Sequence, residues 1–230
     1  LAWFTTDGTF PDCRSQNFFS YRGGEGFRDL VAVEAEGTPA VYGVGGGEEA
    51  GFGGGRTIVA KFDAAGTLLW KRAYATDLDG NRIAGTYTRI NSMAYGAAWL
   101  NGYLYLAGID RDARRLNGPD GRAMLLKYDA AAQTPDPSPG SDGAGELVPM
   151  WAEVGDVSTE YDAVVAMDAS LVTVGAAWVG TNRDASDFLA ARYDEAGTLL
   201  WSRRWGGAGT DRLQGVTVVG ERIFAAGYTG

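Results

Sequence analysis

Histidine is absent from this 230-residue chain, and cysteine occurs once, as Cys13. The first absence removes Ser-His and Cys-His nucleophile pairs, histidine-ligated zinc and the commonest general base in one step. The second excludes an internal disulfide and leaves the redox compartment unread. Cys13 is also too isolated to suggest a metal site, and no role is assigned to it. Positive charge is short as well: 20 Lys and Arg face 29 Asp and Glu, for a formal charge of −9 and a pI near 4.6. Nucleic acid and anionic membrane surfaces both call for a basic stripe, so neither is expected as a partner. No apolar run approaches the length of a membrane span, and no basic-then-apolar signal peptide precedes the first strand. No stretch carries the period of an amphipathic helix.

What the chain has in quantity is glycine, at 35 residues, together with 7 tryptophans and a 45% hydrophobic content. That is enough apolar surface for a sizeable core, and many tight turns between strands with a few large packing residues explain the pairing. The expectation is an all-β fold. Asp187 to Gly230 is a repeat unit whose pieces recur upstream in the same order. KFDAAGTLLW at Lys61 to Trp70 matches RYDEAGTLLW at Arg192 to Trp201, and KYDAA at Lys127 to Ala131 rejoins the pattern at Leu147 to Trp151. Each unit predicts four strands. The first strands run near Asp29 to Glu34, Arg89 to Ala94, Asp162 to Met167 and Arg212 to Val219. The second strands end in Gly45, Gly108, Gly175 and Gly227; the third end at Phe62, Tyr128 and Tyr193; the fourth contain Trp70, Trp151 or Trp201. Alternation puts Ile58, Ala60 and Phe62 on one face and Val59 and Lys61 on the other, with Lys127 and Arg192 equivalent to Lys61. Both faces read as partly buried, as in a propeller blade packed between two neighbours.

The unit resembles the bacterial β-propeller repeat abbreviated SBBP, on Asp187, Phe188, Tyr193, Asp194, Gly197, Leu199, Trp201, Gly206, Gly207, Gly209, Phe224 and Gly227. Earlier copies are looser: Gly23-Gly24-Glu25-Gly26 repeats the glycine loop with Phe18 where Trp should be, and the second copy loses that loop to VGDVSTE. It is less similar to quinoprotein-type propeller repeats, because Asp63 to Trp70 is one residue short of their turn. The resemblance implies a β-propeller of four-stranded antiparallel blades and a bacterial secreted or cell-surface location. Leu1 to Phe10 reads as a degenerate third strand and Asn17 to Arg22 as a fourth. The expected division of this single domain is a partial blade at 1–26, blades at 27–87, 88–160 and 161–210, and a partial blade at 211–230. That is four blades' worth, either closed by pairing the two ends or belonging to a larger ring whose remaining blades lie on the same polypeptide.

Residues that recur in every unit are expected to be architectural: the four glycines Gly45, Gly108, Gly175 and Gly227, the tryptophans Trp70, Trp151 and Trp201, and Asp29, Asp162 and Asp211 as turn caps. What breaks the repeat is loop length. Chain direction should gather loops Gly46 to Arg56, Ala75 to Thr88 and Asp110 to Arg122 on one face. There Arg56, Asp77, Asp79, Asn81, Arg82, Arg111, Asp112, Arg114 and Arg115 form the candidate binding face for a protein or glycan. The insertion Ala130 to Glu146 falls opposite and has the composition of a linker. Asp77, Asp79 and Asn81 imitate the start of a calcium loop, but glycine arrives two places early and Thr88 stands where the bidentate Glu is needed. A polar turn is the better reading, and no cofactor or metal is expected. No catalytic residue is assigned. The function expected is a non-catalytic scaffold or protein-interaction module; the alternatives are a carbohydrate-active propeller enzyme or glycan-binding module, and a quinone-cofactor propeller.

Overall fold

Sixteen β-strands make up the computed structural model, which describes residues 2–3, 12–13, 26–35, 38–48, 55–73, 92–110, 121–135, 156–179 and 185–230. Among these residues there is no helix, and so none long and apolar enough to cross a membrane. The chain is all-β. Strands β1 (Ala2–Trp3) and β2 (Asp12–Cys13) pair with each other. Three four-stranded antiparallel meanders follow. The first is β3 (Gly26–Ala35), β4 (Thr38–Glu48), β5 (Gly55–Asp63) and β6 (Leu68–Ala73). The second is β7 (Ser92–Leu100), β8 (Tyr103–Asp110), β9 (Arg122–Asp129) and β10 (Thr134–Pro135). The third is β11 (Asp156–Met167), β12 (Ser170–Val179), β13 (Ser186–Asp194) and β14 (Leu199–Trp205). A fourth sheet holds two strands, β15 (Asp211–Val219) and β16 (Arg222–Thr229).

Turn chemistry sets these registers. Asn101 and Gly102 take φ of 49° and 89° between β7 and β8, the pair of left-handed residues that closes a two-residue hairpin. This hairpin fixes β7 at Ser92–Leu100, later than the Arg89–Ala94 that sequence landmarks suggest. Asp63 and Asp194 build the same turn twice. Each carboxylate accepts the backbone N–H four residues on, Thr67 or Thr198, at 2.7 Å, and Gly66 or Gly197 supplies the positive φ. At Asp129 the carboxylate accepts the N–H of Ala131 and of Ala132, and Gln133 takes the positive φ instead. The chain then returns at once as β10, pairing Thr134 with Asp129. The fourth strand of the second sheet is therefore found inside the stretch that composition marks as a linker. Trp151 lies outside the described residues, as do Asn17 to Arg22.

One irregularity recurs in the three meanders and in the β15–β16 sheet. The first strand carries a β-bulge, with Arg28, Tyr95, Asp162 or Gln214 as the extra residue. The residue just before each bulge, Phe27, Ala94, Tyr161 or Leu213, pairs with Gly45, Gly108, Gly175 or Gly227. A Cβ on any of these glycines would run into the carbonyl oxygen of Gly26, Met93, Glu160 or Arg212 respectively. The recurring glycine is thus the partner that lets a bulged strand come close.

The sheets pack on one another in chain order through side chains of alternating parity. Met124, Leu126 and Tyr128 of β9 join Tyr42, Val44 and Val59 of the first sheet, while Ala123 and Leu125 join Tyr161, Leu189 and Tyr193 of the third. Ala190, on the other parity of β13, joins Leu213 of β15. Both faces of the third strands are buried, as their alternation predicts: Ile58, Val59, Ala60 and Phe62 are all enclosed. At the centre of the second seam the Tyr161 and Tyr193 hydroxyls meet at 2.6 Å, with the rings edge to face. Burial pushes Tyr193 up to about 12 and raises Tyr161 well above the ordinary phenol value of 10.0. An unfolded chain gives up these protons first, so stability should fall as pH rises from about 10 towards 12. The slope is up to about 1.4 kcal/mol per pH unit for each phenol. Urea unfolding between pH 9 and 12 should show this slope, and Tyr161→Phe should reduce it.

Candidate functional site

A largely buried charged cluster sits between the third and fourth sheets. The bulge at Asp162 turns this carboxylate out of the strand's alternation towards β15, where Arg212 stands one residue into the strand. Arg212 Nε donates to Asp162 Oδ2 at 2.7 Å and Nη2 to Oδ1 at 2.5 Å, a bidentate pairing, while Nη1 reaches Glu160 Oε1. The Glu160 side chain is 4% exposed, that of Asp162 9% and that of Arg212 23%. Burial raises the Asp162 carboxyl more than the hydrogen bond and charge of Arg212 lower it. For Arg212, burial alone would lower the guanidinium, but Asp162 and Glu160 reverse this and hold it above its usual value. Two carboxylates sharing one guanidinium in this way tie the third sheet to the fourth.

Hydrogen bonds between side chains and backbone groups tie the other two seams and add to the third. Asp29 Oδ2 accepts the N–H of Ala97 at 2.8 Å across the first seam, and its Oδ1 accepts that of Leu30. Across the second, Thr159 Oγ1 accepts the N–H of Ala123 at 2.9 Å, and the Ser158 hydroxyl donates to the Gly121 carbonyl. In the third, the Ser186 hydroxyl donates to the carbonyl of Asp211. The Asp211 carboxylate is held below its usual range by the Thr229 hydroxyl and by the N–H of Gly207, which lies at 2.7 Å. Asp29, Asp162 and Asp211 are therefore three different devices and not one recurring turn cap. Only Asp211 opens its strand; Asp162 is the bulge residue, and Asp29 follows the bulge. Sequence landmarks miss Glu160 and Arg212 altogether. The available signal was a charged residue inside an alternating apolar strand, at the position that Gly26 and Met93 hold in the first two sheets.

The predicted binding face falls largely outside the described residues: Asp77, Asp79, Asn81, Arg82, Arg111, Asp112, Arg114 and Arg115 all lie there, the calcium-like triplet included. Of Arg56, the backbone is part of β5 and the side chain is outside. Strand direction does bear on the geometry. In an antiparallel order β3-β4-β5-β6, the β4–β5 connection and the exit of β6 occur at one end of the sheet, and the Asp63 turn occurs at the other. The β8–β9 connection and the Asp129 turn are likewise at opposite ends of the second sheet. Among the described residues, no group of three or more Cys, Asp or Glu could hold a metal ion.

Trp70 and Trp201 occupy equivalent places, paired with Lys61 and Arg192 just before the same register shift. They are half-buried and not largely buried, because the fourth strand is the outer edge of its sheet. Trp70 stacks with Tyr128 and tilts against Tyr42 in the first seam, and Trp201 packs on the third. Their role is inter-sheet packing. The cations opposite them are occupied as well: Lys61 Nζ lies 5.5 Å from the centre of the Tyr42 ring, and Arg192 Nε donates to Ser170 Oγ at 2.8 Å. A scan of the sequence against protein-family models finds no match, and a search of curated proteins finds none either.

Proposed function

We propose that this chain is a non-catalytic repeat module, a β-propeller assembly of four successive units that serves as a scaffold and presents its long connections to a protein partner. The observation that carries the reading is the bulge and facing glycine at the same register in four consecutive sheets. Identical geometry repeated along a chain is what stacked equivalent units demand, and specificity must then come from what varies between units. The acidic side chains that recur in the described strands and turns also support it. Asp63, Asp129 and Asp194 hold turns, Asp162 and Glu160 hold Arg212, and Asp187 lies 3.3 Å from Arg204. Each carboxylate is thereby engaged in structure. An extracytoplasmic setting belongs to the same proposal and rests on the resemblance to SBBP repeats.

Charge reversal at Arg111, Arg114 and Arg115 tests the face. It should weaken capture of a partner by the immobilised chain while leaving the urea midpoint within about 0.5 kcal/mol, as surface substitutions do. Deletion of residues 136–145, a stretch of linker composition, should leave capture intact. Loss of capture in the deletion with none in the charge reversals would place the partner elsewhere.

A further inference from the structure

The β7–β8 hairpin places a reactive pair of residues in the open. Asn101 is the first of its two left-handed residues, with φ of 49°, and Gly102 follows with φ of 89°. Both are exposed, and a Cβ built on Gly102 meets nothing within 4 Å, so no neighbour crowds that side of the peptide joining them. In a two-residue hairpin the ladder bonds belong to the flanking pair, here Leu100 and Tyr103, and the N–H of Gly102 stands outside them.

The Asn101 side chain reaches across the second seam. Its Nδ2 donates to Glu195 Oε2 at 2.8 Å, and the Tyr105 hydroxyl donates to the Glu195 carbonyl at 3.2 Å. A carboxylate only accepts, so the amide nitrogen and not the amide oxygen has to face Glu195. Glu195 lies in the turn between β13 and β14. These two bonds therefore tie a hairpin of the second sheet to a turn of the third, and one of them depends on the amide remaining an amide.

We propose that Asn101 is a site of spontaneous deamidation whose products untie this end of the second seam. The Gly102 backbone nitrogen loses its proton and attacks Cγ of Asn101; the new N–C bond forms as the Cγ–Nδ2 bond breaks, and ammonia leaves with a proton taken from solvent. Water then opens the cyclic imide at either carbonyl to give aspartate or isoaspartate, with no oxidant or reductant involved. Glycine, having no Cβ, hinders the attack least. Either product puts a carboxylate where the amide stood, so nothing is left to donate to Glu195 and two like charges meet across the seam. Isoaspartate also lengthens the backbone by one carbon at the residue that closes the hairpin, and the register of β7 on β8 loses its fixed point. The change runs one way, so the seam loosens with the age of the molecule.

The test incubates the whole chain in warm, mildly alkaline buffer and follows each asparagine by peptide mass mapping and isoaspartyl methyltransferase labelling, which separates Asn101 from Asn117, also followed by glycine. Conversion at Asn101 in the folded chain is expected, and Gly102→Ala should slow it at least about tenfold, because the added methyl hinders the attack. Asn101→Asp imitates one product and should lower the urea midpoint by about 0.2–0.5 M, the size of a surface charge contact. Adding Glu195→Gln should restore the midpoint, since its amide can donate to the new carboxylate. A folded chain that keeps Asn101 intact while the same chain in urea converts it overturns the site, and so does an equal rate in Gly102→Ala. A midpoint unmoved by Asn101→Asp, or not recovered with Glu195→Gln, overturns the effect on the seam.

Discussion

Replacing Arg212 with methionine is expected to cost about 3–5 kcal/mol at neutral pH, the range for removing one partner of a buried ion pair. The substitution preserves much of the side chain's volume and takes away the cation that Asp162 and Glu160 share in the third seam. Both carboxylates would then remain enclosed without their shared guanidinium, and the proton affinity of Asp162 would climb further, in the direction that burial already imposes on it. The pH dependence follows in sign. A carboxyl whose folded pKa is raised binds its proton in the folded state before the unfolded chain does, so the deficit should be largest at neutral pH and shrink on acidification. Urea midpoints at pH 7 and pH 5 measure it. Glu160→Gln and Asp162→Asn added to Arg212→Met should recover much of the loss at pH 7, because the cost lies in unpaired charge and not in packing. A loss under about 1 kcal/mol in the single variant would mean that water reaches the carboxylates.

Gly175→Ala is expected to destabilise the fold by at least about 3 kcal/mol, at or beyond the upper end for overpacking a core. The added methyl would lie 2.8 Å from the Cα of Tyr161 and closer still to the Glu160 carbonyl oxygen. Both are backbone atoms of a bulge that also aims Asp162 at Arg212, so relief by moving β11 would strain the ionic seam as well. Gly102→Ala is the control. A Cβ there meets nothing within 4 Å, and only the φ of 89° is unfavourable, so a loss of about 1–2 kcal/mol is expected. Equal losses in the two variants would show that the bulge facing Gly175 moves aside for the methyl at little cost.

Much of this architecture is legible in the chain because its signals are local. Alternation in TIVAKF, AMLLKY and FLAARY depends only on the pleat, and the structure buries both faces of the corresponding strands. The Asp-x-x-Gly-Thr turns at Asp63 and Asp194 close through bonds that span four residues, so they too are written in sequence. The recurrence of Gly45, Gly108, Gly175 and Gly227 marks equivalent positions, yet its cause is not local: each glycine answers a bulge on another strand, and nothing in a run such as VTVG reveals that the neighbour carries an extra residue. Landmark spacing sets the first strand of the second sheet too early for a related reason, since its register belongs to the Asn101-Gly102 hairpin.

By itself, then, the amino-acid sequence determined strand content, face parity, the repeating order of strands and the tight turns, all of which are settled by contacts within a few residues. Tertiary structure alone decided that Asp29, Asp162 and Asp211 do different work, that Glu160 joins Asp162 around Arg212, and that the apolar residues of β16 lie exposed while their equivalents are enclosed. Those outcomes depend on which sheet packs against which, and a side chain's charge or apolarity is the same in sequence whether or not a neighbouring strand arrives to meet it.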